Sequence, residues 1–123
     1  MRGPTLSIRD RLDRVGVLLS GLCALHCLLS ILLVGGLGLG SQVLLAPGIH
    51  QIGLGLAILV AIFTLALGVS RHGNLAPLAI GVAGIGLMSA ALMVPHGLVE
   101  AALTVVGVAL VATAHLRNLR CAV

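Results

Sequence analysis

The chain holds 123 residues, of which 59% are hydrophobic and 8% charged, and its only aromatic residue is Phe63. Ten ionised side chains, seven Arg and three Asp or Glu, are too few to keep such a chain in water, where about a quarter of a domain is charged, so the composition excludes a soluble enzyme and calls for lipid as the solvent. The formal charge of +4 does not describe a nucleic-acid binder, because the arginines sit between apolar runs and no Trp or Tyr is present to stack on bases; three cysteines give no paired disulfide framework.

Residues 1–14 carry Arg2, Arg9, Arg11 and Arg14 beside Asp10 and Asp13, and an apolar run then extends from Val15 to about Leu39. About 25 residues exceed the core of a signal peptide, and no small-x-small cleavage site follows, so the run reads as a mature span that needs about 20 residues to cross a bilayer. The glycine-rich Gly36-Leu-Gly38-Leu-Gly40 follows no strand and reads as a helix end, and the segment 40–48, with Ser41, Gln42 and Pro47, reads as a short loop. A second span is expected from about Ile49 to Val69, closed by Ser70-Arg71-His72-Gly73-Asn74, with Gly53, Ala57 and Ala61 as a small-xxx-small packing face. A third runs from Leu75 to Val94, closed by Pro95-His96-Gly97, and a fourth from Leu98 to Leu116. All seven arginines precede the first span, lie between the second and third, or follow the fourth, and the other two loops have none. The positive-inside rule then puts both termini in the cytoplasm. The expected fold is an all-α membrane protein, one domain over 1–123 with four transmembrane helices in a compact bundle.

Chemistry concentrates in the first span. Cys23, His26 and Cys27 are three and four residues apart, so a helix brings two thiols and an imidazole to neighbouring positions about 5 to 6 Å apart. Thiolates select soft cations such as copper(I), zinc or mercury(II) over magnesium and calcium, and two thiolates cancel the charge of a divalent ion that the bilayer would otherwise reject. Gly16, Ser20, Cys23, Cys27 and Ser30 form a seam that faces the other helices, with His26 at its flank. A bland reading exists for each of these residues alone: Cys packs as a small hydrophobe, and Ser bonds its own backbone. Glu100 is the one acid expected inside a span, about a turn from the external end of the fourth. It reads as a snorkelling interfacial acid, as an attractor of cations at the outer mouth, or as a partner of His96, and His50 and His96 are candidates for an outer loading site. His115, Asn118 and Cys121 share a face at the inner end, where Cys121 can receive an ion, or His115 and the arginines can satisfy the last carbonyls and anionic lipid headgroups. His72, beside Arg71, reads as a loop histidine.

The four spans with Cys23-x-x-His26-Cys27 in the first, together with the ending His115-Leu-Arg-Asn118-Leu-Arg120-Cys121, resemble the MerC family of bacterial inner-membrane mercury-uptake proteins. The resemblance covers nearly the whole chain and implies mercury(II) transport towards the cytoplasm in the bacterial inner membrane. In family members the first helix typically carries Cys-x-x-Cys, to which Cys23 and the position of His26 correspond, whereas the second thiol here is Cys27. The tail here has one cysteine, Cys121, where members tend to have two. The expected metal ligands are therefore Cys23, His26, Cys27 and Cys121, with the soft ion, the lipid bilayer and a cytoplasmic thiol acceptor as partners, no nucleic acid, no cofactor and no enzymatic reaction. Two other classes remain open: a small structural or regulatory membrane protein, and a thiol redox module, for which an i,i+4 cysteine pair on a continuous helix sits near the limit of about 6.8 Å between Cα atoms.

Overall fold

A computed structural model describes residues 8–30, 32–33, 47–95 and 97–121. The expected end of the first span (31 and 34–39) with its glycine cluster, the loop segment 40–46, and His96 lie outside the described residues. Helix α1 runs Ile8–Ser30, α2 Pro47–Ala61, and α2 passes through a π-helical stretch, Ile62–Ala66, into α3, Leu67–His72. Two further helices follow: α4, Ala76–Ala91, and α5, Leu98–Cys121. The described residues thus form four rods and no strand, an all-helical protein as expected.

Each boundary has a local cause. The α3 rod ends at Gly73, whose φ of 69° lets its N–H turn back to the Val69 carbonyl at 2.8 Å, a closure that side chains with a Cβ disfavour. Asn74 then starts α4 by accepting the Ala76 N–H on Oδ1 at 2.9 Å, and Pro77 occupies the first turn, where no N–H is needed. The first rod begins at Ile8, so the charged segment Asp10 to Arg14 forms its opening turns. Glu100 opens α5, where the positive end of the helix dipole favours a carboxylate.

Three rods, Asp10–Ser30, Gly48–His72 and Leu98–Cys121, are long and apolar enough to cross a membrane. The 16 residues of α4 are apolar too, and at 1.5 Å per residue they cover about 24 Å of a hydrocarbon core of about 30 Å. Packing is tightest between α4 and α5. A Cβ added at Gly84 would meet the Gly107 carbonyl oxygen at 2.6 Å, so the two glycines let the backbones approach as small residues do in membrane bundles. Ala57, Met88, Val108 and Val111 form one apolar core, and Ala61, Leu65 and Ala114 a second. The seam of Gly16, Ser20, Cys27 and Ser30 is the buried face of α1, with Cys23 partly buried among them. Leu18, Leu22 and Ile52 are 68%, 63% and 67% exposed, whereas Asp13, His115 and Asn118 are buried. Large apolar side chains outside and polar ones inside suit a chain whose solvent is lipid.

Candidate metal site and buried polar network

The first site lies between α1 and the start of α2. Ligand atoms of His26, Cys27 and His50 fall within 4.8 Å of one another, and the two imidazole rings are 5.4 Å apart between centroids with a 59° tilt. Cys27 is buried, and both histidines are half-buried. Helical spacing brings His26 and Cys27 to this place, and the return of the chain at Pro47 brings His50. The Nε2 atom of His50 is 4.0 Å from Glu100 Oε1, so the carboxylate of α5 backs the ring. Glu100 is itself 8% exposed and lies beside His50, which replaces the snorkelling reading, while its pairing with His96 lies outside the described residues. His26, Cys27 and His50 border a pocket of about 370 Å³ that Cys23, Gly53, Met88 and Thr104 also line. Cys23 thus faces the same space one turn further along α1 without joining the close triple. A thiol and two imidazoles around one point suit a soft or borderline cation and offer little to a hard one.

Cys121 stands apart. Its sulfur accepts a hydrogen bond from Asn74 Nδ2 at 3.4 Å, at the end of the bundle where α1 begins and α3 ends. Counted along α1 from the level at which Asp13 meets Asn118, it is about 25 Å from Cys27 at 1.5 Å per residue. Three of the four expected ligands therefore surround one pocket, and the fourth lies at the arginine-rich end.

Between them lies a buried network absent from the sequence reading. Asp13 of α1, 2% exposed, accepts from His115 Nδ1 at 2.6 Å on one oxygen and from Asn118 Nδ2 at 2.8 Å on the other. The remaining Asn118 amide hydrogen goes to the Thr64 carbonyl at 3.1 Å, in the π-helical stretch. That stretch widens the rod at the point where Asn118 binds, as π-bulges commonly do at special sites. Thr64 donates its hydroxyl hydrogen to the Val60 carbonyl at 2.7 Å, which leaves its oxygen free to accept from His115 Nδ1 at 3.3 Å. His72 donates from Nε2 to Asn118 Oδ1 at 2.9 Å, and its Nδ1 accepts the Asn74 N–H at 3.1 Å. Two glycines make the space. A Cβ at Gly68 would strike the Asn118 amide, and one at Gly16 would lie 2.5 Å from His115 Nε2. The contacts of His115 replace the reading in which it serves terminal carbonyls and headgroups, and His72, read as a loop histidine, is a member of the network. One signal was present in the sequence: Asp13 is three residues before Gly16, in register with the seam.

A multi-helix bundle with polar groups inside, apolar ones outside and a thiol–imidazole cluster in the half away from its arginine-rich end defines a membrane protein whose clustered donors are of the soft and borderline kind. The family model described as MerC mercury resistance protein matches residues 13–120, and the chain belongs to that family. It is therefore a membrane protein of a mercury-resistance family, which is not a family of enzymes. No curated protein and no solved structure matches the chain.

Proposed function

We propose that the protein carries mercury(II) across the bacterial inner membrane towards the cytoplasm, with both termini inside. The carrying observation is the convergence of His26, Cys27 and His50 within 4.8 Å at a pocket that also contains Cys23. The arginines support the direction: Arg11, Arg14, Arg71, Arg117 and Arg120 belong to the end of the bundle where α1 starts and α5 finishes, and the positive-inside rule assigns that end to the cytoplasm. The cluster then lies in the outer half, where an incoming ion arrives first.

A bare divalent ion faces a large cost on leaving water, and ligands that lose a proton on binding offset it. Cys27 supplies one negative charge as it gives up its thiol proton, and Glu100 behind His50 supplies another without touching the ion. Cys23, about 6 Å deeper at 1.5 Å per residue, takes the ion next by exchange of one sulfur for another, which never frees it. Cys121 serves as a thiol acceptor at the exit, in parallel with soluble cytosolic thiols.

The test is uptake of labelled mercury(II) by cells that express comparable amounts of each variant in the membrane. Cys27→Ser and Cys23→Ser should each abolish uptake above background, and His26→Ala should lower it less, because sulfur supplies both softness and charge balance. Uptake at the wild-type rate by the double serine variant would overturn the carrier and leave a structural role for the cysteines.

A further inference from the structure

The hydrogen bonds around His115 fix one proton pattern. As a carboxylate Asp13 only accepts, and Nδ1 of His115 then carries the hydrogen that it receives at 2.6 Å. Both amide hydrogens of Asn118 are used on Asp13 and Thr64, its oxygen is used by His72, and both nitrogens of His72 are used in turn. One buried atom of this network remains without a partner, Nε2 of His115, in a residue that is 0% exposed. Two states are available to the pair, and each is incomplete. If the imidazole is neutral, the Asp13 carboxylate is a buried negative charge with hydrogen bonds but no cation on the imidazole. If the imidazole is charged, Nε2–H is a buried donor with no acceptor. A cation on the Nε2 lone pair of the neutral ring, or one that displaces the Nε2 proton of the charged ring, supplies both the missing partner and the missing positive charge, with Asp13 holding the ring from behind as a carboxylate does for a metal-bound histidine.

Space for that cation exists. A cavity of about 10 Å³, room for about one water-sized particle, is bordered by Gly16, Ser20, Cys23, Val60, Met88 and His115. Cys23 and Met88 also border the outer pocket, so they stand where the two spaces adjoin. His115 meets α1 at Gly16, seven residues or about 10 Å below Cys23 along the helix. We infer that Nε2 of His115, oriented by Asp13, is a second station for a soft divalent cation, between Cys23 and the arginine-rich end. This rests on the carrier reading above and adds to it a nitrogen ligand that bridges the long interval between the helix-one thiols and Cys121.

The test uses the full chain in lipid nanodiscs, with histidines labelled by nitrogen-15 and HgCl₂ as the probe. The His115 resonances are assigned by sequential experiments and checked by their loss in His115→Gln. Mercury should move the Nε2 resonance from the range of a bare imidazole nitrogen towards that of a substituted one, while Nδ1 stays bound to its proton. Asp13→Asn should weaken that response about tenfold or more and leave the responses of His26 and His50 in place. Mercury uptake by His115→Gln should fall about tenfold, again with His26 and His50 responding as in the wild type. An Nε2 signal that stays fixed while His26 and His50 respond would overturn the station and leave the carrier reading standing. Failure of all three histidines to respond, with uptake indifferent to Cys27→Ser, would instead overturn the carrier.

Discussion

At the scale of single residues, the geometry separates a thiol placed among imidazoles from a thiol that stands apart from them. Cys27 is buried among possible co-ligands, and Cys121 is half-buried beside an exposed amide at the other end of the bundle. A thiol at an exit speeds release and contributes nothing to affinity at a site about 25 Å away. Cys121→Ser should therefore slow mercury uptake by a few-fold and leave the equilibrium binding of one ion at the helix-one thiols unchanged, as measured by titration of the purified chain. Weakened binding equal to that of Cys23→Ser would make Cys121 a ligand of the same site. Gly68 gives a stability counterpart. Any Cβ there enters the Asn118 amide, and the displaced amide would loosen its hold on Asp13 and Thr64 together. Gly68→Ala should cost about 1 to 3 kcal/mol, seen as a lower Tm in detergent, whereas Gly86→Ala, whose Cβ meets nothing, should be close to neutral.

At the scale of helices, the close approach of α4 and α5 makes a second prediction. Gly84 and Gly107 face each other across backbone oxygens, so Gly84→Val must push the rods apart and should destabilise the bundle by about 1 to 3 kcal/mol in the same melting experiment. An unchanged Tm would mean that the pair separates freely. The rods themselves were legible in the sequence. The apolar runs give the spans, Gly73-Asn74 and Pro95 give two breaks, and the three-and-four spacing of Gly16, Ser20, Cys23 and Cys27 gives the inward face of α1. The polar interior was not legible to the same degree. Asp13 sits in a charged segment that looks like a solvated tail, because composition says nothing of a partner 102 residues away. His50 at the edge of a loop gives no sign that α2 will return it to His26, and the π-helical stretch has no marker in Ile62-Phe63-Thr64-Leu65-Ala66, whose Thr64 carbonyl is met by Asn118 from a helix distant in sequence. Cys23-x-x-His26-Cys27 marks where the thiol–imidazole cluster begins, and the tertiary fold brings His50 to it.

For the whole molecule, the arrangement is polar inside and apolar outside, with acid–histidine contacts at two levels: Glu100 beside His50 in one half and Asp13 with His115 in the other. Orientation in the membrane decides which is the entrance. In a chain with Cys23, Cys27 and Cys121 changed to Ser, a cysteine at Ser41 should react with an impermeant maleimide added outside, and one at the exposed Leu75 should react only after the membrane is opened. The reverse pattern would invert the direction of transport. The most direct test of the cluster itself is mercury-edge X-ray absorption on the full chain carrying Cys23→Ser and Cys121→Ser, so that Cys27 is the single thiol. The account predicts one mercury ion with one sulfur and two imidazole nitrogens in its coordination shell, and one nitrogen fewer after His50→Ala. A sulfur contact with no imidazole scattering would contradict it.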